Sequence, residues 1–106
     1  MTPSGDHVNP VPVMSPEAMA EQAAEAAQVL KSIANPNRLM ILCSLIETEL
    51  SVSAINARVP VSQSALSQHL HRLRTERLVA TRREAQTVYY RISDPRIVEL
   101  MTRLYE

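Results

Sequence analysis

The 106-residue chain has one glycine, one cysteine, no phenylalanine and no tryptophan. Its glycine is Gly5, so no Gly-rich loop that could cradle a nucleotide phosphate follows it. Nucleotide-cradling enzymes are thereby excluded. The single thiol, Cys43, excludes an intrachain disulfide framework, and with three scattered histidines it excludes a Cys-rich zinc finger. Long apolar runs are missing too: the longest, Leu39 to Cys43, spans five residues, against about twenty needed to cross a bilayer. The start lacks a basic segment and is broken by Pro3, Pro10 and Pro12, which is not the make-up of a signal peptide. The expectation is a cytoplasmic protein with no membrane partner and no cofactor.

What is present points to one folded domain, because 45% apolar and 21% charged residues exclude a disordered polar chain. A net charge of zero hides a division. Residues 1–60 carry three cations against six acids, whereas residues 61–106 carry eight arginines against five acids. The basic charge is all arginine, the side chain best shaped for bidentate contacts with phosphates and guanine edges. A merely solvated charged face is the alternative reading of that segment.

Residues 1–15 hold Pro, Ser, Gly, Asn and Asp without periodicity and read as a disordered tail, leaving 16–106 as the domain. Ser15-Pro16-Glu17, Asn35-Pro36 and Asp94-Pro95 each have the order of a helix start: a capping side chain, then proline in the first turn. The first helix extends to about Ala34, with Ala23, Ala26 or Ala27, Leu30 and Ile33 as its stripe. The second extends to about Glu47, with Leu39, Leu42, Cys43 and Ile46 on one face. Ser51 or Ser53 caps a short third helix, ended by Pro60, and Ser62 caps a fourth to about Thr75. After Leu78 the period becomes two, so Val79–Arg83 and Val88–Ile92 predict a β-hairpin across the loop 84–87. The order α-α-α-α-β-β-α is that of a winged helix-turn-helix, mainly α with a β-hairpin wing.

At 100° per residue, Leu66, Leu70 and Leu73 form the buried seam of the fourth helix. Ser64, Ser67, Gln68, His71 and Thr75 then lie on the far side, with Gln63 and Arg74 on the flank. Amides and hydroxyls near the helix start, followed by arginines, suit entry into the major groove of double-stranded DNA. There Gln pairs with adenine, Ser reads either class of base, and Arg72, Arg74 or Arg77 reach phosphates. His69 lies nearer the seam, at the edge of the core. Arg82, Arg83, Gln86 and Thr87 at the hairpin tip suit backbone or minor-groove contact, with cross-strand pairing to Glu84 or mere solvation as the alternative for the two arginines.

The stretches Leu30-Lys31-Ser32-Ile33-Ala34-Asn35-Pro36-Asn37-Arg38-Leu39, Ser62-Gln63-Ser64-Ala65-Leu66-Ser67-Gln68-His69-Leu70 and Val88-Tyr89-Tyr90-Arg91-Ile92 resemble the ArsR/SmtB family of bacterial transcription regulators. Ile41-Leu42-Cys43 and residues 83–88 resemble its HlyU/BigR thiol-sensing branch. The resemblance implies a homodimer paired through first and last helices, which binds an inverted repeat and represses until an inducer arrives. It also implies that Gln63, Ser64, Ser67 and Gln68 read DNA. For dimerisation the expected residues are Ala23, Ala27, Leu30, Ile97, Leu100, Met101 and Leu104, since a core without Phe or Trp gains from a second copy.

The family pattern fails at four places. Metal sensors carry Glu-Leu-Cys-Val-Cys where this chain has Glu49-Leu50-Ser51-Val52-Ser53, and the last helix has Asp94 and Glu99 without histidine, so no metal is expected. The branch's second cysteine has no counterpart. Cys43 is then either packed core or a thiol open to sulfenic acid, persulfide or mixed disulfide. Arg77 stands where relatives commonly have glycine before the hairpin, which in a left-handed conformation costs about 1 kcal/mol. A protein-interaction module without DNA and a thiol enzyme at Cys43 are the competing functions. The latter has no His or Arg adjoining Cys43 in sequence to activate the thiol.

Overall fold

The computed structural model describes residues 13–105; most of the expected tail, residues 1–12, lies outside them. Helix α1 (Pro16–Ile33) starts where Ser15 Oγ accepts from the Ala18 N–H at 3.1 Å. Helix α2 (Pro36–Ser44) starts where Asn35 Oδ1 accepts from Asn37 and Arg38. For α3 (Val52–Arg58) the cap is Ser51, for α4 (Gln63–Thr75) it is Ser62, and ahead of α5 (Pro95–Tyr105) Asp94 Oδ1 accepts from the Arg96 N–H. Each such cap stabilises its helix by about 1 kcal/mol. Local chemistry therefore sets all five starts.

Helix α2 stops at Ser44, three residues before the expected end. Leu45 and Ile46 donate instead to Leu42 and Cys43, the tighter i→i−3 pattern that closes a helix. Its buried residues are Ile41 and Leu42, while Leu39, Cys43 and Ile46 are half-buried. A single stripe misjudges α2 because it touches α1, α3, α4 and α5 and so is enclosed on several sides. Around it close Ile55, Val59, Leu66, Leu70, Leu73, Leu78, Ile97 and Met101.

Strands β2 (Val79–Glu84) and β3 (Thr87–Ile92) form the expected hairpin, but the turn is tighter, Ala85-Gln86 rather than 84–87. A strand the pattern did not reveal, β1 (Leu50–Ser51), pairs antiparallel with β3 as Leu50↔Tyr90 and Ser51↔Tyr89, giving the order β1-β3-β2. Two residues are too few to show a period. The hairpin is thereby stitched to the segment that leads into α3, so wing and helix-turn-helix share one frame.

Ile97 and Met101, expected at the dimer surface, are 1% and 0% exposed within the single chain. They serve this chain's own core, since α5 turns that face toward α2 and β3. Leu100 is half-buried against the core, and Leu104 is 60% exposed. On α1 only Ser32 and Ile33 are buried; Ala23 and Ala27 are exposed, and Leu30 is 53% exposed. No helix among the described residues is long and apolar enough to cross a membrane.

Candidate nucleic-acid interface

Helix α4 is held on its buried side by Leu66, Leu70 and Leu73, and its other side is bare. Gln63, Ser64, Ser67, Gln68, His71, Arg74 and Thr75 are all exposed. Apart from a 3.3 Å contact between the Ser64 and Ser62 hydroxyls, Gln63, Ser64, Ser67, Gln68, His71 and Arg74 have no hydrogen-bond or ion-pair partner among the described residues. Gln63, Ser64 and Ser67 line a shallow depression with Val52 of α3. The preceding turn is fixed by Asn56, whose Nδ2 donates to Val61 O at 2.9 Å and to Val59 O at 3.4 Å. With Pro60 excluding a continuous helix, this sets the angle at which α4 stands away from α3.

The flank of α4 that faces α1 and α2 is tied down by hydrogen bonds. Arg38 of α2 donates through Nε to Ser32 O and through Nη2 to Lys31 O, which satisfies carbonyls at the end of α1. Its Nη1 lies 3.3 Å from Nδ1 of His69. Arg72, expected to reach phosphate, instead points its Nε at the buried Ser32 Oγ, 3.5 Å away. Gln28 Nε2 meets Glu76 Oε2 at 3.3 Å, a further link between α1 and the end of α4. Burial, and then the charge of Arg38, holds His69 below its ordinary pKa near 6.5. His69 is half-buried at the core edge, and His71 faces out. None of these ties shows in the sequence, because each joins residues that only packing brings together.

The wing's residues differ in their freedom. Arg83, Gln86 and Thr87 are exposed, and Arg83 has no ion pair among the described residues. Arg82 is engaged: its Nε donates to Glu49 Oε1 and its Nη1 to Glu84 Oε1 at 2.8 Å, with the guanidinium 4.6 Å from the Tyr89 ring centre. The hydrogen bonds it donates to Glu84 and then to Glu49 raise its pKa above the usual arginine value. Pairing with Glu84 is thus the alternative realised, along one strand rather than across two, and Glu49 is a partner the sequence reading did not name. Cys43 is half-buried on α2, with no second cysteine in the chain. Among the described residues no three His, Cys, Asp or Glu side chains converge as a metal donor set.

Residues 35–81, from the cap of α2 into β2, match the family described as "Bacterial regulatory protein, arsR family". The transcriptional activator HlyU of Vibrio cholerae is 48% identical over 95 residues, covering 87% of this chain and 88% of that one. The biofilm growth-associated repressor of Xylella fastidiosa (strain Temecula1) is 38% identical over 97 residues, covering 92% and 85%. The solution structure of a homodimeric winged helix-turn-helix DNA-binding domain from Mycobacterium bovis superimposes with a TM-score of 0.75 at 30% identity, over 90% of this chain and 87% of that one. These relatives are regulators rather than enzymes. The chain is a winged helix-turn-helix transcriptional regulator and belongs to the arsR family of bacterial regulatory proteins.

Proposed function

We propose that the chain binds double-stranded DNA as a homodimer, presenting α4 to the major groove in each half of an inverted repeat, and that it represses transcription there. The observation that carries this reading is the unpartnered polar face of α4, Gln63, Ser64, Ser67, Gln68 and His71, with Arg74 beside it and Arg83 at the wing. A side chain already bonded within the protein would have to give up that bond to meet a base edge; these have almost none to give up. Gln68 and Gln63 carry the amide that pairs bidentately with adenine, and Arg74 and Arg83 supply charge to the backbone. Gln86 and Thr87 sit close enough to the tip to follow the wing toward the minor groove. A DNA target would place the protein in the cytoplasm, on the nucleoid.

Two α4 helices must meet successive major grooves about 34–36 Å apart, which a dimer provides by symmetry. The M. bovis homodimer supports that arrangement, and the exposed Leu30 and Leu104 supply apolar surface for it. Repression follows where such a dimer covers a promoter; the two relatives named above, one an activator and one a repressor, show that the sign varies within the family. Cys43 is the thiol through which an oxidant or reactive sulfur species would act, forming a sulfenic acid, persulfide or mixed disulfide. DNA affinity of wild type and Cys43→Ser with and without polysulfide tests it, and equal responses end that part of the reading.

The main test uses genomic fragments retained by the protein. Gln68→Ala weakens binding to a retained fragment by about 1–3 kcal/mol and leaves random duplex almost unchanged, whereas Arg83→Ala weakens both and lowers the salt slope by about one. An unchanged affinity for the retained fragment in Gln68→Ala would refute the recognition face. No binding to any duplex at low salt, with capture of a protein partner instead, would favour an interaction module.

A further inference from the structure

Two adjacent arginines of the wing are sent to opposite faces of the sheet by the pleat. Arg82 stands opposite Tyr89, which stands opposite Ser51, so one row crosses all three strands. Arg83, opposite Val88, shares its face with Val79, Ile92, Tyr90 and Leu50, the residues that belong to or pack on the core. Arg82 therefore lies on the outer face.

There its exposed guanidinium is flanked by Glu49, Glu84 and the Tyr89 ring. Two carboxylates thus compete with phosphate for this one cation, on a face that also carries Arg91. The two acids differ in what they can do. Glu84 sits two residues along the same strand and moves with Arg82 wherever the wing goes. Glu49 comes from the opposite edge of the sheet, one residue before β1, and its backbone is anchored by the β1–β3 pairing. Arg83 has no such acid among the described residues.

We propose that Glu49 is a positioning residue that withholds Arg82 from nucleic acid: it clamps the guanidinium over Tyr89, leaves Arg83 as the wing's DNA contact, and so limits sequence-independent affinity. This rests on the DNA-binding reading above. A regulator facing a large excess of non-specific sites gains more discrimination from base contacts than from one more phosphate contact. An exposed ion pair adds little to stability, so removing Glu49 leaves the fold intact and isolates the electrostatic effect.

Binding to a mixed-sequence duplex across 50 to 200 mM salt, for wild type, Glu49→Gln, Arg82→Ala and the double variant, tests the proposal. Releasing Arg82 adds about one phosphate contact, so Glu49→Gln binds more tightly and its log–log salt slope steepens by about 0.9. Its advantage over wild type is then about threefold larger at 50 mM than at 200 mM. Arg82→Ala cancels that gain in the double variant. Unchanged affinity and slope in Glu49→Gln, or a gain that persists without Arg82, overturns the proposal while leaving DNA binding intact. Absence of duplex binding by wild type at 50 mM removes the DNA-binding reading and this proposal together. The clamp has its own signature: the Arg82 Nε–H resonance of the free protein exchanges slowly and shifts in Glu49→Gln, and a solvent-averaged signal in wild type refutes it.

Discussion

Arg77 and Ala85 have φ of 63° and 56°, in the left-handed region that favours glycine. Arg77 sits just past the end of α4, where its N–H donates to Arg74 O and that of Leu78 donates to Leu73 O, both at 2.9 Å. This is a Schellman closure, completed by contact between the buried Leu73 and Leu78, and its left-handed position is the one glycine usually fills. Ala85 opens the two-residue hairpin turn. Arg77→Gly and Ala85→Gly each raise stability by about 0.5–1 kcal/mol, the relief of left-handed strain minus the greater freedom of unfolded glycine. A rise in Tm of about 3–6 °C per substitution checks this by calorimetry. The strain at Arg77 was implied by the family resemblance, in which glycine commonly holds that position. That at Ala85 was not, because a four-residue loop makes no demand on any one position, whereas the observed two-residue turn does.

At the scale of elements, Arg38, His69 and Arg72 tie α4 to the corner between α1 and α2. Neutral His69 accepts from Arg38 through Nδ1. Protonated, it has two donors and no acceptor, and it sets a second positive charge against Arg38. Because burial and Arg38 depress its pKa, the unfolded chain takes up the proton first as pH falls. The stability contributed by neutral His69 is fully present above about pH 6.5 and is lost downward through the folded pKa. Urea unfolding at about pH 7.5 and pH 5.5 therefore shows a loss that His69→Gln abolishes. The acid loss from Asp94, whose carboxylate is stabilised by hydrogen bonds from Arg96, falls in a separate window below about pH 4. Four of the five helix starts could be read directly, since each cap is decided within four residues, and the choice between Ser51 and Ser53 for α3 fell to Ser51. The end of α2 and strand β1 could not: one is a choice between i−4 and i−3 acceptors, the other a pairing with residues nearly forty positions away.

For the whole molecule, the expected dimer residues divide into two groups. Ile97 and Met101, with the half-buried Leu100 packed against them, complete a protomer core that has no Phe or Trp, while Ala23, Ala27, Leu30 and Leu104 remain outside it. Leu30→Glu with Leu104→Glu should thus abolish association without unfolding the chain, seen as a monomer mass by light scattering with unchanged circular dichroism. The same variant loses most of its affinity for an inverted repeat and keeps more of it for a single half-site, because only the dimer links two α4 helices. A dimer that persists would show that other surfaces hold it together.

The linear order of residues determined the five helix starts, the hairpin, the apolar seam of α4 and the polar face opposite it. Each follows from capping chemistry or from a period of 3.6 or 2 that acts over a few residues. Tertiary structure decided which of those side chains are free. Arg72 and Arg82 read as DNA contacts until Ser32 lies beside one and Glu49 beside the other, and Ile97 and Met101 read as interface until α2 lies beside them. A side chain's partners depend on distances that the period of its own segment does not contain, and those distances exist only once the chain has folded.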